Sequence, residues 1–206
     1  MGGLRLRAGG NTNAKLHPNW FFSGYGAYGF KDEEFKYNLT TMYSFEKKKQ
    51  NPWEYPINML KVSYEYDVKI PGQAFLYGTG DKLFLSFIRG DIDKINYERN
   101  FELSWNKEYK SGFTVNPSFN WKRFYPKMTL KDEDGLGNTF NHLTTSEFGM
   151  FLKFAPNERF FQIQMNRYPL NQTEPIIELG HKLGIADFLG GQYTYNRSDV
   201  TFYKRW

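Results

Sequence analysis

The residue types that most often bind metals or act in catalysis are sparse in this sequence. It contains three histidines, His17, His142 and His181, and no cysteine. None of the histidines lies in a spacing typical of zinc sites, such as His-Glu-x-x-His. Without cysteine, a disulfide framework and a thiolate metal site are both excluded. We therefore predict no metal site and no bound cofactor.

Two short motifs remain as candidates for chemistry. His142 lies near Ser146 on a long predicted loop, and a histidine beside a serine can activate the hydroxyl for hydrolysis. Such a pair needs a third group that orients the imidazole, and the sequence offers none nearby. We therefore predict no catalytic residue and no enzyme activity. The acidic tip Asp132-Glu133-Asp134-Gly135 lacks the ligand pattern of a calcium loop, and we interpret it as a solvated turn.

Composition favours β-structure. The 206 residues suffice for one domain with a sizeable core, and they include 20 Phe, 15 Tyr and 5 Trp. Aromatic side chains suit strands, and their number excludes a disordered chain. The net charge of +5 is dispersed, with one dense cluster at Lys47-Lys48-Lys49, so we predict no nucleic-acid binding. No apolar run is long enough for a membrane-spanning helix.

Apolar and polar residues alternate along most of the chain, which is the pattern of β-strands with two different faces. From Ile95 to Asn106, the odd positions are apolar except for Arg99, and the even positions are all polar. Similar stretches predict about eleven strands and no helix, and a bulge near Ser198 reconciles the two halves of the last strand. The predicted strands cover 4–8, 20–30, 35–45, 60–68, 82–89, 95–106, 113–121, 147–154, 161–166, 175–185 and 193–206.

The connections between these strands alternate in predicted length. If every predicted strand crosses the sheet once, the tight turns at 31–34, 107–112 and 155–158 fall at one end of the sheet. The long loop 127–143 then falls at the other end. Short turns at one end and long loops at the other are typical of outer-membrane β-barrels.

Three observations indicate that the apolar face contacts lipid rather than a protein core. The polar faces are large and rich in Asn, Gln, Glu and Lys, as in a wet barrel lumen. Aromatic residues gather at strand ends, for example Trp20, Trp105 and Trp121, as they do at membrane interfaces. The strand lengths also match a tilted membrane wall. We therefore predict an all-β fold, an antiparallel meander that forms a transmembrane outer-membrane β-barrel or part of one.

Seven segments carry a resemblance to a known family: Arg5-Leu6-Arg7-Ala8-Gly9-Gly10-Asn11-Thr12, Gly24-Tyr25-Gly26-Ala27-Tyr28-Gly29-Phe30-Lys31-Asp32, Phe35-Lys36-Tyr37, Tyr64-Glu65-Tyr66-Asp67, Ile70-Pro71-Gly72-Gln73, Phe87-Ile88-Arg89-Gly90 and Tyr203-Lys204-Arg205. They resemble one group of outer-membrane proteins from Bacteroidota, large proteins of unknown function known as carboxypeptidase-like regulatory domain-containing proteins. The resemblance covers most of the chain and departs at both ends, because the family has a small β-sandwich before this region and continues past the position of Trp206. It implies an outer-membrane location and a barrel fold, but no reaction and no catalytic residues.

We interpret residues 1–206 as a single β-barrel region, expected to be a fragment of a longer chain, with a role in transport or surface assembly. The expected partners are the lipid bilayer and, at the edge formed by Tyr193 to Trp206, a downstream strand, a second copy or another protein. We expect residues 1–206 alone not to close into a stable monomeric barrel. Two alternatives stay open: a soluble β-barrel that binds an apolar ligand in its interior, and an outer-membrane hydrolase that uses His142 in a loop.

Overall fold

The computed structural model describes residues 4–69, 96–126, 142–163, 166–170 and 174–204. These residues form eleven β-strands and one short 3₁₀ turn at Phe188–Gly190. Among them, no helix is long and apolar enough to cross a lipid bilayer. The strands are β1 (Arg5–Asn11), β2 (Trp20–Gly29), β3 (Phe35–Ser44), β4 (Asn58–Lys69), β5 (Asn96–Glu108), β6 (Phe113–Pro126), β7 (Leu143–Phe154), β8 (Phe160–Ile163), β9 (Asn166–Pro169), β10 (Ile176–Gly184) and β11 (Tyr195–Tyr203).

Nine of the strands form one antiparallel sheet in the order β1-β2-β3-β4-β5-β6-β7-β10-β11. Strands β8 and β9 pair only with each other, as a hairpin inserted between β7 and β10. Within the described residues the sheet is open, with β1 and β11 as its two edges. The predicted all-β antiparallel meander is confirmed, and its strands follow one another along the chain as neighbours usually do.

The eleven strands of the described residues do not correspond one to one to the predicted strands. The predicted strand at 82–89 lies outside the described residues. The predicted crossing strand at 161–166 is wrong, because this segment forms the short hairpin β8–β9 with only four residues in each strand. Four residues extend over about 13 Å, which is too short to cross a sheet whose strands β4 to β7 have 12 to 14 residues.

The predicted bulge near Ser198 is also wrong. The pairing of β10 with β11 runs without a break from Ile176 opposite Tyr203 to Gly184 opposite Tyr195. Of the two residues whose phase suggested the bulge, Tyr193 precedes β11, and Tyr195 is the first residue of β11 and lies on the face opposite Val200 and Phe202. The Tyr195 hydroxyl donates a hydrogen bond to Glu147, so the change of phase reflects an aromatic residue with a polar partner and not a bulge.

The predicted segregation of short turns and long loops is wrong as well. We call the end of the sheet that carries the 30–34 turn the lower end, and the opposite end the upper end. Because β4 pairs directly with β5, β4 ends and β5 begins at the same, lower end of the sheet. The tight turn 109–112 consequently lies at the upper end, opposite the tight turn 30–34. Tight turns thus occur at both ends.

Candidate functional site

The strand registers divide the side chains of the sheet into two continuous faces. Residues paired across neighbouring antiparallel strands lie on the same face, so the alternation of each strand continues into the next. One face, which we call the apolar face, carries mainly aromatic and aliphatic side chains. They include Leu6, Phe22, Leu39, Leu60, Val62, Phe101, Leu103, Phe119, Phe148, Met150, Ile177, Leu179, Val200 and Phe202.

The opposite face, which we call the polar face, is the more buried of the two. Its Lys36 is 4% exposed, Glu98 8% and Asp67 9%. On the apolar face Leu39 is 64% exposed, and Leu103, in the middle of the sheet, is 37% exposed. Charged residues are almost never buried in water-soluble proteins unless they are paired. In this sheet charged side chains are buried and large apolar side chains are exposed, which is the inverse of the distribution in such proteins.

Curvature of the sheet explains why the polar face is buried. The Arg5 guanidinium in β1 lies 3.0 Å from the Asp67 carboxylate in β4, although β2 and β3 separate the two strands. Three inter-strand spacings amount to about 14 Å on a flat sheet, which is beyond the combined reach of these side chains. The Tyr25 hydroxyl in β2 donates a hydrogen bond to the same carboxylate. The polar face is therefore concave and the apolar face convex.

Polar side chains on the concave face form ion pairs and hydrogen bonds with one another. The Lys61 ammonium lies 2.9 Å from the Glu102 carboxylate on the adjacent strand. Thr40 and Ser63 share a hydrogen bond of 2.8 Å between their hydroxyl groups. Near the β11 edge of the same face, the Tyr195 hydroxyl donates a hydrogen bond to the Glu147 carboxylate. Such pairing is what allows charged and polar groups to be buried.

A polar groove of about 440 Å³ runs along the concave face near β10 and β11. Gly149 and Gly180 form part of its floor, and Asn116, Glu178 and Lys182 are among the polar residues that line it. A Cβ atom at Gly149 would come 2.6 Å from the Ser118 hydroxyl oxygen, so a larger residue there requires rearrangement. The concave face is thus filled by long side chains near β1–β5 and open near β10.

Aromatic residues form a band at each end of the convex face. At the upper end, Trp20 contacts Tyr43 with ring centroids 4.9 Å apart, and Tyr43 contacts Phe45 at 5.2 Å. At the lower end, Tyr66 and Tyr97 stack at 5.9 Å. These bands confirm the clustering of aromatic residues at strand ends that the sequence indicates.

Arg99, the one charged residue on the apolar side of β5 apart from the terminal Lys107, belongs to the lower aromatic band. Its guanidinium carbon lies 5.5 Å from the centroid of the Tyr66 ring and 5.3 Å from that of Tyr125. Cation–π contacts of this kind offset part of the cost of placing a charge beside apolar surface. The break in the alternation of β5 therefore falls at the rim of the face and not at its centre.

Loops cover the concave face at the upper end. Phe21, Met42 and Met59 on the strands pack with Ile57, and with Ala14 and Trp53, in a small apolar cluster. The β8–β9 hairpin contacts the same β3–β4 loop, because Gln162 donates a hydrogen bond of 2.9 Å to the Trp53 carbonyl and Phe160 contacts Tyr55 edge-on. The loop and the hairpin come from strands separated by β5 and β6, so their contact bridges the concave face. We call this assembly the upper cover.

Hydrogen bonds from the side chains of Glu54 and Lys48 to the backbone stabilise the conformation of the β3–β4 loop. The Glu54 carboxylate accepts hydrogen bonds from the backbone N–H groups of Lys49, Gln50 and Asn51. The buried Lys48 ammonium donates to the carbonyls of Glu54 and Pro56 at 2.8 and 2.7 Å. Burial alone would raise the pKa of Glu54, but the backbone donors and the Lys48 charge outweigh it and lower that pKa below its usual range.

The structure does not bring His142 and Ser146 together. The buried Ser146 hydroxyl donates instead to the Phe188 carbonyl at 2.7 Å, and the His142 ring lies beside Tyr125 with centroids 6.2 Å apart. The hydroxyl–imidazole pair on which the hydrolase alternative depends is therefore absent from this site. The acidic tip 132–135 lies outside the described residues.

A different serine and histidine meet on the convex face. His181 Nδ1 and the Ser198 hydroxyl oxygen are 2.9 Å apart, as opposite residues of β10 and β11. Sequence reasoning missed this contact, because only the strand register shows which distant residues face each other. Among the described hydrogen bonds, none joins the second imidazole nitrogen to an orienting group, so the pair does not form a triad. No group of three or more His, Asp or Glu among the described residues is arranged to hold a metal ion.

The geometry defines an open, curved, antiparallel β-sheet with a convex apolar face and a concave polar face. Comparisons of the chain with family models, with curated proteins and with solved structures find no match. The two faces of the sheet are therefore the features that bear on its function.

Proposed function

We propose that this chain forms part of the wall of an outer-membrane β-barrel, with the convex face toward lipid and the concave face toward a water-filled lumen. The observation that carries the proposal is the inverse exposure of the faces, with Leu39 and Leu103 outside and Lys36, Asp67 and Glu98 inside. Outer-membrane barrels alternate apolar residues toward lipid with polar residues toward the lumen. The aromatic bands at both ends of the strands agree with the two interfaces of a bilayer.

Strand length and resemblance give further support. Strands β4 to β7 have 12 to 14 residues, and about 9–11 residues cross the hydrocarbon region at a tilt. The resemblance of segments such as Arg5 to Thr12 to Bacteroidota outer-membrane proteins points to the same location. The family has no assigned reaction, and we propose a role in transport or surface assembly without catalysis.

The soluble alternative places an apolar ligand inside the curve of the sheet. Such a site needs an apolar concave surface, but the concave side carries ion pairs such as Lys61–Glu102 and Arg5–Asp67. A soluble sheet would also expose the aromatic convex face to water as an apolar patch far larger than monomeric proteins usually show. These two features favour the lipid-facing proposal.

Labelling of single cysteines in lipid vesicles tests this proposal. Because the chain has no cysteine, each introduced residue reports alone. We expect a fluorophore on Leu103→Cys to be quenched by brominated lipid, and one on the adjacent Glu102→Cys to be quenched by aqueous iodide. The pair Leu60→Cys and Lys61→Cys repeats the comparison on β4. Equal quenching of the two members of both pairs would contradict the proposal.

A further inference from the structure

Two arginines lie directly opposite each other on the apolar face, near the lower end of the sheet. Arg99 in β5 pairs with Arg123 in β6. Within the nine-stranded sheet as described, the convex face carries one other charged residue, Lys107 at the upper end of β5. Opposite residues of antiparallel strands have Cβ atoms about 4.5–5.5 Å apart, and like charges in such positions destabilise a sheet. The arginine pair therefore needs a compensating interaction.

The described residues do not supply a carboxylate to either arginine. No ion pair among them includes Arg99 or Arg123. The Arg123 Nε donates a hydrogen bond of 3.1 Å to the Thr144 hydroxyl, which leaves its two terminal nitrogens as donors for another group. Arg99 is exposed and forms no hydrogen bond with the described part of the chain. Most of the N–H groups of the pair are thus available to a ligand.

The acidic residues of the neighbouring 30–34 turn have other partners. Asp32 accepts hydrogen bonds from the Lys36 ammonium and, at 2.8 Å, from the Tyr97 hydroxyl. The Glu34 carboxylate accepts a hydrogen bond of 3.5 Å from the Tyr66 hydroxyl. Because Asp32 is paired with Lys36, Glu34 offsets at most one of the two guanidinium charges. The lower end of the convex face therefore keeps an excess of positive charge.

Aromatic rings position both guanidiniums without using their terminal N–H groups. Arg99 lies over the rings of Tyr66 and Tyr125. The guanidinium carbon of Arg123 lies 5.1 Å from the centroid of the Trp121 ring. Cation–π contacts of this kind hold a cation in place and leave its hydrogen-bonding capacity intact. The two side chains are thus arranged before any ligand binds.

Apolar surface lies beside the pair. Phe101 is the next residue of β5 on the convex side, toward the middle of the sheet. The β10–β11 loop approaches from the other direction, because a Cβ atom at Gly190 would lie 3.9 Å from a terminal nitrogen of Arg123. The Leu189 side chain of this loop is 58% exposed. A ligand that matches these surroundings has an anionic group attached to an apolar chain.

We propose that Arg99 and Arg123 bind the anionic phosphate of a lipid headgroup at the lower membrane interface. Guanidinium groups present N–H donors in a planar arrangement that matches phosphate oxygens, and a phosphate between them removes the repulsion of the two like charges. The aromatic band lies at the depth of the headgroups, and the acyl chains contact the apolar surface. The proposal rests on the proposed function, because only a lipid-facing convex face brings headgroups to this site.

Competition between brominated lipids tests the proposal. A fluorophore on Phe101→Cys reports the lipids beside the pair, and one on Phe22→Cys, on the same face toward the upper end, is the control position. The protein is refolded in phosphatidylcholine vesicles that contain a minor fraction of brominated phosphatidic acid or of brominated phosphatidylcholine. We expect phosphatidic acid to be enriched at least about tenfold over phosphatidylcholine at position 101, since each interfacial arginine adds about fivefold. At position 22 the two lipids should quench equally.

Charge-matched variants separate this site from general attraction. Arg99→Gln and Arg123→Gln should each lower the enrichment at position 101 by about fivefold, and the double variant should abolish it. Lys107→Gln removes the same charge from the convex face at the upper end and should leave the enrichment unchanged. Glycerol 3-phosphate in large excess should not displace the lipid, because it has no acyl chains to contact the apolar surface.

Three outcomes would overturn the inference while a fluorophore at position 103 remains in lipid. Equal quenching by the two lipids at position 101 of the protein with both arginines would exclude the site without reference to any variant. Unchanged enrichment in the folded double variant would exclude the arginines as the ligands of the phosphate. Displacement by glycerol 3-phosphate would assign the pair to a soluble anion. If the fluorophore at position 103 is instead in water, the proposed function itself fails, so the failures are distinguishable.

Discussion

Arg5 and Asp67 form an ion pair at 3.0 Å across two intervening strands of the same sheet. Only a sheet curved toward its polar side brings these two residues into contact. The ion pair is therefore direct evidence that the sheet curves toward its polar face.

A double-mutant cycle on this pair tests the curvature in solution. We expect Arg5→Gln and Asp67→Asn to be non-additive, with a coupling of about 1 kcal/mol, because residues in one ion pair share an interaction energy. The free energy of unfolding is measured by urea titration in lipid vesicles. As a control, Lys153→Gln, which removes an ion pair with Glu158 at the upper end, should be additive with Asp67→Asn. Additivity of Arg5→Gln with Asp67→Asn would mean that the sheet is flatter than described.

The two faces should differ in their tolerance of charge. Leu103 lies on the convex face between Val62 and Phe119, and Leu103→Arg should destabilise the folded protein in lipid by about 2–4 kcal/mol. Asn120 lies on the concave face between Glu102 and Glu147, and Asn120→Arg should be neutral or stabilising because its charge gains two acidic neighbours. Refolding titrations of both variants provide the comparison. Equal losses for the two variants would argue against distinct faces.

Stability of the β3–β4 loop should depend on pH through Glu54. In the folded protein the pKa of Glu54 is lowered. The contribution of its carboxylate to the stability of the loop is therefore fully present above the ordinary glutamate pKa of about 4.3, and it is lost as pH falls through the folded pKa. Hydrogen exchange of the loop at pH 6 should therefore be faster in Glu54→Gln than in the parent, by an amount that corresponds to about 1–2 kcal/mol. As pH falls through the folded pKa of Glu54, the exchange rates of the parent and of Glu54→Gln should converge. Glu33→Gln, an exposed change in the 30–34 turn, serves as the control and should not affect the loop at pH 6 or below.

The upper cover should open when its aromatic contact is removed. Phe160 contacts Tyr55 of the β3–β4 loop, whereas the adjacent Phe161 stacks on Tyr168 within the hairpin. Phe160→Ala should lower the free energy of opening of the loop by about 0.5–1.5 kcal/mol, and Phe161→Ala should leave it unchanged. Hydrogen exchange of a proteolytic fragment that contains Trp53 measures the effect. If both variants change the loop equally, the hairpin acts on it through general destabilisation and not through this contact.

Much of the sheet could be predicted from the sequence, because alternation is a local property. The alternation in β5 places Leu103 and Glu102 on opposite faces without knowledge of any neighbour. Arg99 is the exception to the apolar side of this alternation, and only its contacts with Tyr66 and Tyr125 on two other strands explain its position. Faces are therefore predictable strand by strand, whereas the reasons for their exceptions are not.

Strand direction and long-range contacts could not be predicted from the sequence. The direction of every strand after β4 depends on how many times the chain crosses the sheet, and the direct pairing of β4 with β5, which no local pattern predicts, sets the ends at which the later turns lie. The contact of His181 with Ser198 and that of Arg5 with Asp67 depend on register and curvature, which no local pattern encodes. The upper cover likewise joins segments that are distant in sequence and become neighbours only through the curvature of the sheet.

The β8–β9 hairpin leaves the sheet and returns to it at the same end, between β7 and β10. A segment of this kind can be lengthened, exchanged or deleted without reversing the direction of any strand that follows it. It is thus a natural graft site: a peptide epitope or an affinity tag placed between β8 and β9 would be displayed at the upper end while the nine-stranded register stays intact.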